Sequence, residues 1–456
     1  MQSITEVLTD FVFEYPFEKI PDDVIKNTKE CIIDTLSGTL TATDYSDVQG
    51  IIDSLTKYDT DQTSSMIWGT DQYCSLQNAL ILNGTMGHTT EMDDVHKLAK
   101  THVGTIAIPA ALTLGTYLGS SGKEVLRAIA LSYEIALRIG IGIGAVSHRL
   151  QGWHATGTCG IFASAAAAAI LMKLSKNEFV SALGLAGTQA SGLWAFTADG
   201  ASCKKFHAGK AAHGGVLASI LASGGMTGPA FILEAEDGGL YKAASNEYNY
   251  KAVVQELGET WEIMKIDRKP FSCCRSMHPA IDAVMQIQNE ILLLPENIKH
   301  IEVETYEVGY KQCGTIVIPQ NVSEAQFSIP YGVAAALCDK AAGLAQFSRE
   351  RIKDKKLLEL AKKVHVYASE RFSAEYPRNW GCEVTVTTKD NKEYKKYIVN
   401  AKGDHSVPLS INDLREKFIS LSGHKYKINE IQNIIDTVFH LETAAPELLV
   451  KQFYRQ

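Results

Sequence analysis

The sequence predicts a mainly α protein: a large all-helical domain, an inserted smaller α+β domain, and a C-terminal return to helix. Three observations carry this. Long segments rich in Ala, Leu, Ile and Gly run through the first 265 or so residues without β-alternation. Between about 298 and 399, short segments alternate apolar and polar residues. After Lys402–Gly403 the helical spacing resumes. The expected boundaries are 1–265, 266–402 and 403–456.

In chain order, Asn27–Ala42 places Cys31, Ile32, Leu36 and Leu40 on one helical face. Ile106–Leu118, Val125–Ile143, Gly160–Leu174 and Glu178–Leu185 read as further helices, apolar enough to be central in a bundle or at a subunit interface. The segments IKHIEVETYE, KKVHVYAS, GCEVTVTTKD and EYKKYIV read as strands, with a turn at Asp390–Asn391 between the last two. Helices Pro279–Leu293, Pro330–Ala342 and Leu357–Lys363 interrupt them. The last helices are Ile411–Leu421, Ile428–Phe439 and Pro446–Phe453, placed to rejoin the first domain.

Composition narrows the function classes. With 45% apolar and 21% charged residues, the 456-residue chain has ample material for a core. Its formal charge of -8 and lack of a basic run argue against nucleic-acid or anionic-membrane partners. Cations that touch a ligand must therefore be local. The longest apolar run, Cys159–Met172, falls short of the ~20 residues that a bilayer span needs. The N-terminal stretch carries early acids and no basic n-region, so a cytoplasmic protein is expected. Nine scattered cysteines fit reduced thiols.

Histidine placement is the first chemical signal. Of 13, eight fall between His88 and His278, and His102, His154, His207 and His278 sit in polar, Gly-rich breaks. A shared cleft is the reading that unites them, against the ordinary structural roles of single histidines. The segment HTTEMDDVHK supplies His88, Glu91, Asp93, Asp94 and His96. It reads as an acid/base and substrate-positioning segment, as a Zn or Mn site, or as a solvated helix N-terminus. No HExxH is present. Gly140–Ala145 matches G-x-G-x-x-A formally, but helix precedes it, so close packing or a helix break is expected there. The adjacent Cys273 and Cys274 lack the C-x2-C spacing of Fe–S or zinc sites. Lys204 and Lys205 precede His207, while Arg268, Lys269 and Arg275 surround the cysteine pair. Both groups suit carboxylate clamps, or are surface charge. A helix N-terminus after Thr156–Gly157–Thr158 could add backbone donors.

The stretches NGTMGHTTEMDDVHK with HVGTIAIPAAL, GWHATGTCGIFASAAAAA, KKFHAGKAAHGG, KPFSCCRSMHPAIDA and SEAQFSIPYGVAAAL resemble the MmgE/PrpD family, in family order over about residues 30 to 340. The resemblance implies a helical domain plus an α+β lid domain, a homodimer, and no cofactor or essential metal. It makes His102 and His154 the two cleft histidines, Lys204 the first active-site lysine with Lys205 beside it, and Lys269 the lysine that opens the lid motif. Glu91 stands where the family usually has Asp, ahead of Asp93, with Met92 for an aromatic and Val95 for a Thr. Cys274 stands where the decarboxylase members carry a histidine, and the form with Arg275 and His278 is like the dehydratase-type members.

The reaction so implied is a hydro-lyase acting on a small di- or tricarboxylic acid bound between the two domains. Lys204, Lys269 and Arg275 hold carboxylates, helped by Lys205, Cys274 and His278. His102 and His154 serve as base and acid, and Glu91 or Asp93 orients one imidazole. A cis-aconitate decarboxylase-like carboxy-lyase, a dicarboxylate epimerase and a non-catalytic polycarboxylate-binding protein are the alternatives.

Overall fold

The structure, a computed structural model, describes residues 2–291 and 293–455. Met1 and Gln456, at the ends of the expected domains, and Leu292, within the expected Pro279–Leu293 helix, lie outside the described residues. The protein is mainly α, and its chain divides into two compact units. One comprises Met1–Thr197, Cys203–Ile266 and Ser410–Gln456; the other comprises Ala198–Ser202 and Asp267–Leu409.

The first unit is built around the Ile161–Leu171 helix, every residue of which is buried. The helices Gly104–Leu118, Gly122–Gly142, Lys176–Gly187 and Lys204–Ser223 pack around it. Its alanines carry little side chain, so the neighbours come close. A Cβ on Gly215 would lie 2.1 Å from Ser164 Oγ and 2.4 Å from the Ala165 nitrogen. Ser-x-x-Glu capping boxes start three helices, at Ser3–Glu6, Ser121–Glu124 and Ser175–Glu178, where each serine and glutamate satisfy backbone N–H groups reciprocally. The GIGIGA segment is a break, as its glycines suggest: the Gly122–Gly142 helix stops, Gly144 takes φ 73°, and Ala145–Leu150 begins a new helix.

One expectation fails here. The KKFHAGKAAHGG stretch, read as a Gly-rich break, lies inside the 20-residue Lys204–Ser223 helix. Its glycines serve close approach: a Cβ on Gly209 would lie 2.3 Å from the Ile81 carbonyl oxygen.

The C-terminal helix Ile411–Ser422 packs on Asp22–Thr39. Lys417 reaches Asp34 at 2.6 Å, and Ser422 Oγ donates to the Ser37 carbonyl at 3.1 Å.

The second unit carries a four-stranded sheet in the order Val364–Ala368, Ile298–Thr305, Cys382–Thr388, Glu393–Ile398. The first pair is parallel and the others antiparallel, with Val303 opposite both Val366 and Val384. Ile301, Val303, Val384 and Val386 face a core shared with the helices His278–Glu290 and Ile329–Asp339. The turn into the last strand has Asn391 at φ 63°, a conformation Asn tolerates better than most residues.

Among the described residues, no helix is long and apolar enough to cross a membrane.

Candidate active site

The Leu76–Gly87 helix ends at His88, and the chain then forms a short loop whose residues from His88 to Lys97 are all buried. That burial excludes the solvated helix N-terminus for this segment. Within the loop Glu91 adopts φ 55°, a strained conformation for a non-glycine residue.

Asp93 is the hub. Its Oδ2 lies 2.8 Å from His88 Nδ1 and 2.8 Å from His102 Nδ1. His102 Nδ1 is also 2.7 Å from the Asp94 carbonyl oxygen. These oxygens only accept, so Nδ1 of each ring carries the proton and donates, and in the neutral rings Nε2 is the basic nitrogen. The His88 and His102 rings lie 4.8 Å apart. His88 Nε2 is buried with no hydrogen-bond partner among the described residues.

His154 precedes the short Ala155–Thr158 helix and is fully buried. Its ring stacks on His88 at 5.8 Å and meets Trp194 edge-on at 5.0 Å. Its Nδ1 is 2.9 Å from His207 Nδ1, and its Nε2 is sealed without a hydrogen-bond partner among the described residues. Burial, followed by the charges of His88, Lys204, His207 and His102, holds its pKa well below the usual imidazole range. Burial, with His88 and Lys204, lowers His207 to about 4. Both rings are therefore neutral at pH 7.

The Lys204–Ser223 helix supplies Lys204 and His207, three residues apart and so on one face. Lys204 forms a buried ion pair with Glu91. Lys205 points elsewhere: its Nζ is 2.5 Å from Asp47 and near the ring of Tyr45. The Thr156–Thr158 backbone does not offer an anion cradle, because the N–H groups of Thr158 and Cys159 bond to the carbonyls of His154 and Ala155.

A second layer holds the loop. Asp94 accepts from Tyr133 OH at 2.6 Å and from the Gly104 N–H at 3.1 Å. Burial raises its pKa to about 7; Tyr133 opposes the rise, and Asp34 and Asp93 add to it. A Cβ on Gly104 would lie 2.5 Å from Thr35 Oγ1, so the backbone here tolerates no side chain. Lys417 donates to Asp34 and to the Met92 carbonyl, both at 2.6 Å.

The remaining expected site residues lie in the second unit. Lys269 is buried and Cys274 half-buried. Arg275 is engaged with the protein itself: Nε donates to Asp267, Nη1 to the Lys402 carbonyl and His278 Nδ1, and Nη2 to the Ala401 carbonyl. Because His278 Nδ1 accepts from Arg275, its proton resides on Nε2, 3.3 Å from the Cys273 carbonyl.

Among the described residues, two triads bring three metal-capable atoms within 4.8 Å: His88, Asp93 and His102, and Asp267, Asp404 and His405. In the first, both imidazole N–H groups already donate to the carboxylate. In the second, Asp267 already accepts from Arg275 and from the His405 backbone. The donor sets fit hydrogen-bonded networks better than cation cages.

The structure thus joins His102, His154, Lys204, Glu91 and Asp93 in one cluster with His88 and with His207, which the shared-cleft reading also named. Its i+3 spacing from Lys204 is a further signal, which counts only once the segment is known to be helical.

A buried cluster of imidazoles and a shared carboxylate, flanked by an ammonium, makes a candidate acid–base site on a helical scaffold. The chain belongs to the MmgE/PrpD family: the family's N-terminal domain matches residues 6–252 and its C-terminal domain residues 271–442. It is similar to a cis-aconitate decarboxylase of Aspergillus terreus (26% identical over 96% of this chain and 93% of the relative). It is also similar to the cis-aconitate decarboxylases of Homo sapiens (27%, 97% and 92%) and Mus musculus (25%, 97% and 91%). These names are those of carboxy-lyases; they do not favour the hydro-lyase expected first.

Proposed function

We propose that the protein is a cofactor-independent carboxy-lyase for a small unsaturated tricarboxylic acid of the cis-aconitate type. The observation that supports this best is the convergence of His88 and His102 on Asp93, with His154 stacked on His88 and Lys204 close by. Loss of CO2 from a carboxylate leaves an electron pair on carbon, and one proton closes the balance. Lys204 holds a neighbouring carboxylate and steadies the charge as it spreads toward it. His154 or His102 delivers the proton, a role worth about 10²–10⁴-fold for a positioned imidazole. Lys269 is retained as a carboxylate binder. Arg275 and His278, whose polar atoms serve the second unit itself, are read as its struts.

A hydro-lyase is kept as a second reading because Cys274 stands where the decarboxylase members carry histidine. Purified protein incubated with cis-aconitate in heavy water separates the two. The expected result is CO2 release with one deuterium bound to product carbon, and its loss in His154→Ala. Hydration or water loss without CO2, across cis-aconitate and 2-methylcitrate, would overturn the carboxy-lyase.

A further inference from the structure

An imidazole serves as acid or base only while its reacting nitrogen is aimed at the substrate. The backbone of His102 is fixed: its N–H donates to Thr156 Oγ1 at 3.3 Å, and its carbonyl accepts from Thr105 Oγ1 at 2.9 Å. The ring still turns about its side-chain bonds, and two oxygens near Nδ1 hold it: Asp93 Oδ2 at 2.8 Å and the Asp94 carbonyl at 2.7 Å. Asp93 Oδ2 is shared with His88, also at 2.8 Å, so its grip on His102 is divided. The Asp94 carbonyl is an acceptor that does not depend on His88. The loop from His88 to Lys97 has little regular backbone to brace that carbonyl, but the Asp94 side chain is pinned at both oxygens. Oδ1 accepts from the Gly104 N–H at 3.1 Å, at the start of the Gly104–Leu118 helix, where N–H groups lack intrahelical partners. Oδ2 accepts at 2.6 Å from the OH of Tyr133, on the Gly122–Gly142 helix. Asp94 and Tyr133 are fully buried. The fit is close, since a Cβ on Gly104 would lie 2.7 Å from Tyr133 OH and 2.8 Å from Asp94 Oδ1.

From this geometry we propose that Asp94 and Tyr133 are positioning residues for His102: the two helices grip the Asp94 carboxylate, and its backbone carbonyl thereby holds the His102 Nδ1–H and leaves Nε2 aimed and free to exchange the proton. The inference rests on the carboxy-lyase reading, in which His102 is one of the two acid–base rings, and deepens it. Neither residue touches the substrate; both act through His102. The Nδ1 proton stays in place throughout, and only Nε2 gains or gives one. The arrangement divides the work within the Asp93–Asp94 pair. Asp93 supplies a charged acceptor to two rings, and Asp94 supplies a fixed neutral acceptor to one.

The test uses the full chain with Tyr133→Phe, Asp94→Ala and Asp94→Asn, following kcat and KM for CO2 release from cis-aconitate. Nitrogen-15 NMR of the same proteins without substrate reads the His102 tautomer, its signals assigned by their absence in His102→Gln. Tyr133→Phe and Asp94→Ala are expected to lose about 10–10²-fold in kcat with KM little changed, as the reacting nitrogen drifts from its place. In both, the Nε2–H share of the His102 ring should rise. Asp94→Asn keeps an oxygen for the Gly104 N–H and presents an amide N–H to the Tyr133 hydroxyl oxygen, so it should recover most of the rate lost in Asp94→Ala and keep the Nδ1–H tautomer. An unchanged His102 tautomer in Tyr133→Phe and Asp94→Ala would overturn the positioning role, whether kcat falls or not. An asparagine variant as slow as the alanine one would overturn it in favour of a need for the Asp94 charge. Either loss variant decides the question should the other not fold. Wild-type protein that releases no CO2 would instead overturn the carboxy-lyase reading, and the tautomer measurement, made without substrate, would still decide the anchor.

Discussion

At the level of single residues, the site is organised by Asp93. One carboxylate oxygen accepts from two rings, His88 and His102, so it sets both tautomers at once. Asp93→Asn removes the carboxylate charge that both N–H groups face, and the amide oxygen, which can still accept from both, is the weaker acceptor. The expected outcome is a fall in kcat of about 10²-fold or more with the fold intact. Nitrogen-15 NMR would follow it directly, as a weakened preference for the Nδ1–H tautomer in the two rings. Much of this was open to sequence reading: HTTEMDDVHK, His102, His154 and Lys204 stand out as polar groups between apolar helices. The partners were not. The His154–His207 contact joins residues 53 positions apart, and Lys417 reaches the Met92 carbonyl from 325 positions away. No local pattern encodes such pairings. Lys205 shows the converse, because adjacent lysines on a helix point about 100° apart and only Lys204 turns toward the loop.

At the level of elements, two contacts hold the site loop in place. The Lys417–Asp34 pair joins the C-terminal helix to the Asp22–Thr39 helix, with side chains 4% and 0% exposed. Lys417→Met leaves Asp34 as a buried charge without its ammonium, at a cost of about 3–5 kcal/mol. Urea unfolding would measure the loss, and kcat should fall as well because the Met92 carbonyl loses its tether. The second contact is the approach of Leu76–Gly87 to Lys204–Ser223, which brings Glu91 to Lys204. A Cβ on Gly209 would lie 2.2 Å from Thr85 Oγ1 and 2.3 Å from a backbone oxygen. Gly209→Ala should destabilise by about 1–3 kcal/mol through overpacking. The same glycines explain why the helix was misread. Gly costs about 1 kcal/mol in a helix interior, so three of them suggest a break. Backbone contact between helices reverses that preference, and it is visible only in three dimensions. The period-2 strands were legible because each buries one face against a single core.

For the whole molecule, the buried histidines make stability depend on pH in a defined direction. Burial lowers His148 to about 4, against the opposing pull of its Ala244 carbonyl contact, and lowers His207 to about 4 and His154 well below its usual value. In the unfolded chain each titrates near 6.5. Below that pH the unfolded state binds protons that the folded state refuses, so stability is full above about 6.5 and declines as pH falls toward 4. A separate loss begins lower. Burial tends to raise the pKa of Glu262, but His96 and Lys265 outweigh it and hold it at about 2, so its contribution disappears as pH falls from about 4.5 toward 2. The imidazole phase can be isolated at His148, which lies outside the acid–base cluster and bonds Thr158 and the Ala244 carbonyl. In His148→Gln, the unfolding free energy between about pH 6 and 5 should vary with pH less steeply than in wild type, by up to about 1.4 kcal/mol per pH unit. Urea titrations at several pH values give that slope. An unchanged slope would mean that His148 is protonated within the fold, and that the acid sensitivity of this helical core resides in its carboxylates.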